Sequence, residues 1–324
     1  MKFPRFLLLG TCSLFFFIIV LSFFQKKPEV KPQKDSLVEE IVLIDREVPL
    51  PPAPAPDLSK VAVKQEALLP EKDQIDRLFA LDSSKLPIVE TITYTSRVPW
   101  LEGRCAWISD YASHYKTSRH FIARSLRGSK DYSTQNVAPG DRLNVFAPDK
   151  NIEFHLLVDV SRSKMWFYYV DVDVQERVLL KTYPVGLGRK DPDSRSGCLT
   201  PLGSYQIGDK VAIYKPGIMG YFQEQKVEMI QIFGTRWMPF EKALSEDAEN
   251  PKGYGIHGSP WTSAEGGSFV EDTTHIQKYD SDGCIRLASS DIEELFAIVI
   301  TKPTFVHVVS DFHDADLPGS EQGE

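Results

Sequence analysis

The chain has 324 residues, with 45 acidic against 37 basic side chains and a formal net charge of −8. At roughly 150 residues per domain this length suggests about two compact units, enough to bury a substantial core. The acidic balance argues against a nucleic-acid partner, which calls for a basic face. Phe6 to Phe24 then forms a run of 19 residues without a charge, preceded by Lys2 and Arg5 and followed by Lys26 and Lys27. That run is long enough to cross a bilayer as a helix. It exceeds the apolar region of a cleavable signal peptide and lacks an A-x-A-like exit. Cys12 follows Leu9-Gly10-Thr11, but the threonine before it and the apolar run after it argue against a lipoprotein signal. Residues 1–27 are therefore expected to be an uncleaved membrane anchor, with basic residues on both flanks leaving orientation open.

Residues 28–90 carry little periodic apolar pattern and include Pro49-Leu50-Pro51-Pro52-Ala53-Pro54-Ala55-Pro56, a stiff, extended segment. They read as a linker, with a short helix expected over 71–81 from Ile75, Leu78 and Phe79. From 91 to 149 the character changes. Thr91 to Tyr94 reads as a strand, Cys105 to Tyr115 and Ser118 to Leu126 as two short helices, and Val137-Ala138-Pro139-Gly140-Asp141-Arg142-Leu143-Asn144-Val145 as a turn into a closing strand. This segment resembles a LysM module, a small α+β unit of β-α-α-β order that binds N-acetylglucosamine-containing glycans. The competing reading is a small domain that only packs against the β-rich region C-terminal to it.

Residues 150–311 read as mostly β. Ile152 to Val160 and Met165 to Val172 alternate about a Ser161-Arg162-Ser163-Lys164 turn as a hairpin does; Val178 to Val185 and Thr304 to Val309 read as further strands, and Asp291 to Val299 as a helix. The stretch after 311, residues 312–324, reads as a short, acidic, disordered tail. Within the β region, Gly255-Ile256-His257-Gly258 and Ser281-Asp282-Gly283-Cys284-Ile285-Arg286-Leu287 place a histidine and a cysteine in two glycine-hinged motifs. A free cysteine is only a few per cent thiolate near neutral pH, so chemistry at Cys284 needs a partner that takes its proton, and His257 is the candidate. Gly283 lets the chain approach a substrate closely, with neighbouring amides as oxyanion donors. Arg286 has the fork geometry for a carboxylate, or for an internal salt bridge.

These motifs resemble the L,D-transpeptidase (YkuD-type) catalytic domain, whose pattern is a His-Gly at a strand end followed by Ser-X-Gly-Cys-X-Arg. Tyr183-Pro184-Val185-Gly186-Leu187-Gly188 and Thr200-Pro201-Leu202-Gly203-Ser204-Tyr205-Gln206-Ile207 are similar to the family's upstream V-x-x-G and T-P-x-G-x-(Y/F)-x-I segments. The resemblance implies a mainly β sandwich or barrel-like catalytic domain. It also implies Cys284 as nucleophile, His257 as base, the Gly258 carbonyl as the group orienting the imidazole, and Ser281, Asp282, Gly283 and Arg286 around the substrate. The implied substrate is the peptidoglycan stem peptide, attacked at its third residue with loss of the terminal D-Ala. No cofactor or metal is implied; a metal site from His257, His275, Asp280 and Cys284 lacks zinc-like spacing. The acyl acceptor stays open between a stem amine giving a 3→3 cross-link, water, and a protein lysine. A tethered, catalytically degenerate wall-binding protein is the alternative from another class. Such a substrate places the chain in a bacterial inner membrane through its anchor, with the catalytic part in the periplasm.

Two departures from the family pattern stand out. Asp282 puts a carboxylate two residues before the thiol; facing the sulfur it would disfavour the thiolate, so it is expected to turn toward the acceptor side, and Asp282→Asn to weaken acceptor use more than acylation. The 26 residues between His257 and Cys284 exceed the family's usual spacing, and 261–280 reads as a surface loop or lid. That insertion carries His275, a rival base without a following glycine, and the carboxylates Glu265, Glu271, Asp272 and Asp280, read as loop solvation. Ser281 reads as a turn residue. Cys105 and Cys198 are taken as unpaired.

Overall fold

The computed structural model describes residues 69–126, 137–222, 224–264 and 266–321. The expected anchor at 1–27 and most of the expected linker lie outside the described residues. Among the described residues, no helix is long and apolar enough to cross a membrane. All of them belong to one compact unit, 67–324.

The C-terminal part of the expected linker is packed. Only Asp76–Phe79 (α1) is helical within 71–81, yet Ile75, Leu78, Leu86 and Ile88 are buried in the main core. Ile75 and Leu78 have helical spacing over a single turn, and no sustained period continues to Leu86 and Ile88, which is why the sequence pattern suggests a tether with one short helix. Burial of each side chain, and main-chain bonds such as Gln74 N–H to the Leu180 carbonyl (2.9 Å), hold it instead.

Strand β1 (Val89–Thr93), helices α2 (Ile108–His114) and α3 (Arg119–Ser125) and strand β2 (Arg142–Phe146) come in the expected β-α-α-β order. β1 and β2 pair antiparallel, from Val89 opposite Phe146 to Thr93 opposite Arg142. Tyr94, Tyr111, Ile122, Leu143 and Val145 make a small core of their own. Ser118 caps α3 by accepting the Phe121 N–H (2.9 Å), and its hydroxyl donates to the Ala297 carbonyl (2.8 Å). One hydroxyl thus both starts a helix and fastens this unit to the larger β domain.

The β domain is built on one curled ten-stranded sheet. In chain order the strands are β3 (Ile152–Asp159), β4 (Lys164–Asp171), β5 (Glu176–Pro184), β6 (Leu187–Gly188), β7 (Gly203–Ile207), β8 (Val211–Ala212), β9 (Met219–Phe222) and β10 (Gln225–Glu228). Helix α4 (Met229–Phe233) leads to β11 (Arg236–Ala243), β12 (Gly255–Gly258), β13 (Trp261–Ser263), β14 (Phe269–Glu271), β15 (Tyr279–Ser281) and β16 (Ile285–Leu287). Helix α5 (Ser289–Val299), β17 (Thr304–Val309) and β18 (Ser320–Glu321) complete the chain. The sheet runs β16-β12-β11-β7-β17-β3-β4-β5-β18, with β8 paired to β11. The hairpin expected around 161–164 is β3–β4, in register from Ile152 opposite Asp171 to Asp159 opposite Lys164.

Helix α5 buries Ile292, Leu295, Phe296, Ile298 and Val299 in the same core as Phe154, Leu156, Val158, Val306 and Val308. At about 1.5–3 kcal/mol for each large apolar side chain, this helix is a principal clamp on the sheet. Residues 312–321 are not a loose tail. Phe312 packs on Trp166 with ring centroids 4.7 Å apart, and Arg177 donates to the carbonyls of Leu317, Pro318 and Gly319 at 2.9–3.0 Å. Two apolar anchors, Phe312 and Leu317, outweigh the acidic composition that suggests disorder.

Candidate active site

Strands β12 and β16 run parallel, with Ile256 opposite Ile285, His257 opposite Arg286 and Gly258 opposite Leu287. Because successive side chains alternate between faces, Ile256, Ile285 and Leu287 point into the core, and all three are fully buried. His257, Arg286 and, one step before the strand, Cys284 therefore share the opposite face. Cys284, two residues before the Arg286 that faces His257, stands diagonally across from the imidazole. Two segments remote in sequence meet here because the helix behind them, α5, needs both apolar faces.

His257 is buried. Its Nδ1 lies 2.7 Å from the Gly258 carbonyl, which only accepts, so Nδ1 carries the proton and Nε2 holds the lone pair. Phe233 meets the ring edge-on at 5.5 Å and Trp237 leans on it at 6.0 Å. Burial in this aromatic setting drives the imidazole pKa down to about 3, against the Gly258 bond and helped by the nearby Arg286 cation. The ring is neutral near pH 7.

The Cys284 thiol is partly open and points toward the Gly253 carbonyl at 3.6 Å. Its desolvated surroundings push its pKa up to about 11; the Gly255 amide and Arg286 oppose this, and Asp282 adds to it. The resting pair is thus neutral thiol and neutral imidazole, so the thiol proton must leave during attack rather than before it. The structure brings the expected nucleophile and base onto one surface without a preformed ion pair.

The loop before the thiol is held tightly. Ser281 accepts the Gly283 N–H (3.1 Å) and donates to the Cys284 carbonyl (2.7 Å), the turn role its residue type suggests. This uses the Gly283 amide, which therefore does not remain for an oxyanion; the Cys284 amide is the candidate donor. Gly283 has φ +114°, and a Cβ there would fall 2.4 Å from Tyr254 and 2.6 Å from the Leu199 carbonyl oxygen. Gly188 fits the same crossing: its N–H donates to Thr200 Oγ1 (2.8 Å), and a Cβ on it would reach the Thr200 amide at 2.6 Å and the Gly283 Cα at 3.0 Å. The upstream glycine and threonine motifs are the floor beneath the cysteine loop. Tyr254, whose ring covers Gly283, is a contact with no mark along the chain beyond its place ahead of the histidine motif.

Asp282 forms an exposed ion pair with Arg189, so its charge is shared with a side chain that no motif marks. Arg286 donates to Asp280 Oδ1 (2.8 Å), the internal salt bridge that its residue type allows. Asp280 Oδ2 lies 2.7 Å from His275 Nδ1, and His275 Nε2 is 3.3 Å from Asp272. His275 is thus no base for the thiol; it bridges two carboxylates and ties the insertion to Arg286. The insertion is a hairpin, β13–β14, rather than a plain loop. Three of its acids are anchors and not mere solvation: Asp272 and Asp280 hold His275, and Glu271 accepts the Ser289 N–H at the start of α5 (2.6 Å), while Glu265 lies outside the described residues. Cys105 and Cys198 are both free, the first exposed and the second buried. Among the described residues no group of three or more His, Cys, Asp or Glu side chains is arranged to hold a metal.

A β-sheet floor, a glycine-hinged thiol and a carbonyl-oriented histidine point to one family. Residues 153–308 match the model of the L,D-transpeptidase catalytic domain (YkuD). That stretch is a YkuD-type catalytic domain, and it contains every residue of the site just described. Solved structures with similar folds include the helical cell shape determining protein Pgp2 from Campylobacter jejuni, 17% identical, with 53% of this chain and 54% of that chain covered and a TM-score of 0.34. Bdellovibrio bacteriovorus Bd1075 is 13% identical, covering 49% and 48% with a TM-score of 0.32. Mycobacterium tuberculosis L,D-transpeptidase 1 is 15% identical, covering 52% and 68% with a TM-score of 0.23. The chain spans about half the length of the first two. No curated protein matches it.

Proposed function

We propose that the chain is a peptidoglycan L,D-transpeptidase. Cys284 Sγ attacks the carbonyl of the third stem residue while His257 Nε2 takes the thiol proton. The Cys284 amide receives the oxyanion, and His257 returns the proton to the amine of the departing D-Ala, leaving a thioester. The amine of a neighbouring stem then resolves the thioester as a 3→3 cross-link. Water at the same site gives an L,D-carboxypeptidase and a protein lysine gives a wall ligase. The observation that carries this reading is the Nδ1–Gly258 bond, which turns the imidazole lone pair away from its own backbone on the face that Cys284 shares. Arg286, fixed by Asp280, lowers the energy of the developing thiolate, and Ser281 and Gly283 shape the loop that presents it. Asp282 and its partner Arg189 border the entry for the acceptor.

The flanking segments fit an envelope setting. We assign 1–27 as a single-pass inner-membrane anchor that leaves the catalytic domain in the periplasm, and 91–149 as a LysM-like module that holds wall glycan. The β-α-α-β order supports the latter. The raised thiol pKa favours one competing reading, a tethered wall-binding protein without turnover. Mass spectrometry of muropeptides incubated with the full chain separates the two: D-Ala release and a new 3→3, shortened or protein-linked product that needs Cys284 supports the enzyme. Binding to wall with unchanged muropeptides refutes it.

A further inference from the structure

The short segment from Phe233 to Trp237, which joins α4 to β11, meets the base three times. Phe233 closes α4 and stands edge-on to the His257 ring at 5.5 Å. Gly234 follows at φ +59°, where a Cβ would fall 2.4 Å from the Ser259 oxygen and 2.9 Å from the Gly258 oxygen. The chain therefore crosses directly over the carbonyl that orients the imidazole. Trp237 then stands directly opposite His257 in the β11–β12 pair. Directly opposed residues project to the same face, and along β11 the alternate residues Arg236, Met238 and Phe240 are buried on the other.

The indole makes two contacts at once. It lies 6.0 Å from the His257 ring, tilted by 53°, and Phe233 backs it at 4.6 Å. Its far edge covers Gly255: a Cβ on that glycine would fall 2.6 Å from Cη2 and 2.7 Å from Cζ3 of the indole. The Gly255 amide is the group that bonds the Cys284 sulfur. One rigid ring thus abuts the base and, through one backbone unit, the nucleophile. A smaller side chain cannot span both. Trp237 is half-buried while His257 is only 3% exposed, so the indole also stands among the groups that keep water from the imidazole. The charged and titratable groups facing that imidazole are Arg286, opposite on β16, and the Cys284 thiol diagonal to it. The contacts from α4 and β11 are the Phe233 and Trp237 rings, since Arg236 turns to the α5 side and lies over Phe296 at 5.1 Å.

We propose that Trp237 is a positioning residue of this site: one indole braces the His257 ring and the Gly255 backbone that meets the Cys284 sulfur, holding base and nucleophile in register and the base dry. This rests on the function proposed above. Trp237→Leu removes both contacts, and Trp237→Phe keeps a ring beside His257 without the reach to Gly255. Both variants are made in the full chain. The His257 ring is titrated by NMR of histidine carbons, its signal assigned by its loss in His257→Gln, and D-Ala release from a disaccharide-tetrapeptide gives kcat and KM.

In wild type burial holds the imidazole pKa at about 3. In Trp237→Leu the midpoint should rise by about one pH unit or more toward the ordinary value, and in Trp237→Phe by less. The kcat of Trp237→Leu should fall by about tenfold to a hundredfold at nearly unchanged KM, and Trp237→Phe should recover part of that loss. A lowered Tm with an unmoved His257 midpoint is what a merely structural tryptophan gives, and it overturns the proposal. If Trp237→Leu does not fold, Trp237→Phe decides alone: a midpoint and kcat equal to wild type overturn the proposal as well. The titration needs no turnover. A wild type that releases no D-Ala, with a midpoint that still moves in Trp237→Leu, refutes the transpeptidase and keeps the brace; release with an unmoved midpoint refutes the brace alone.

Discussion

Gly283→Ala tests how the cysteine loop is built. At φ +114° an L-residue is strained by about 1–2 kcal/mol. The new Cβ also falls 2.4 Å from Tyr254 Cε1 and 2.6 Å from the Leu199 carbonyl oxygen, roughly 1 Å inside ordinary contact. The tyrosine ring can swing away. The carbonyl cannot do so freely, since the Leu199 amide is bonded to the Arg189 carbonyl at 3.0 Å and Thr200 holds Gly188. Relieving that contact costs a further 1–3 kcal/mol by the measure of overpacked cores. A total of about 2–5 kcal/mol corresponds to a fall in Tm on the order of 10 °C for a unit of this size. A loop displaced by about 1 Å should also lower turnover by about two orders of magnitude. Differential scanning calorimetry and D-Ala release check the two parts. A variant with unchanged Tm and unchanged turnover would show that the loop does not need this backbone conformation.

Three further outcomes are expected from the site and the core. His257→Gln keeps a group able to bond Gly258 but removes the base, so acylation should fall by about 10²–10⁴ with little change in Tm; equal rates in a stopped-flow acylation assay would refute the assignment. Asp280→Asn weakens the hold on Arg286 and on His275 together, and should slow thiol alkylation by iodoacetamide by severalfold, since Arg286 favours the thiolate; an unchanged alkylation rate would count against that role. Burial holds the pKa of His155 and His257 at about 3 and of His120 and His307 at about 4, below the ordinary value near 6.5. The unfolded chain therefore takes up protons that the native state refuses. Stability is full above about pH 6.5 and should decline by several kcal/mol as pH falls toward 3–4. Urea midpoints that stay flat from pH 7 to 4 would contradict this.

The catalytic region is legible in the sequence because its signals are local. Alternation marks β17, while β3 and β4 are apolar runs buried on both faces rather than the alternating strands expected, and the two glycine-hinged motifs mark the proposed nucleophile and base. What stays hidden depends on distant partners. Residues 69–90 resemble a tether because their apolar residues keep no period beyond one helical turn, only places in the shared core. Phe312 and Leu317 resemble part of a loose acidic tail because Trp166 and Arg177, which receive them, lie about 140 positions earlier. Asp272, Asp280 and Glu271 look like solvated charges along the chain, where nothing shows that His275, Arg286 and the start of α5 stand beside them. The pairing of Asp282 with Arg189 likewise leaves no trace, since the two lie 93 positions apart.

Intact-mass spectrometry of the chain mixed briefly with a disaccharide-tetrapeptide and quenched in acid tests the central claim most directly. Wild type should gain the mass of the donor less D-Ala, on the peptide that contains Cys284, and Cys284→Ala should gain nothing. An adduct that persists in Cys284→Ala, or a wild type that consumes the tetrapeptide without ever carrying it, would contradict a thioester at this thiol.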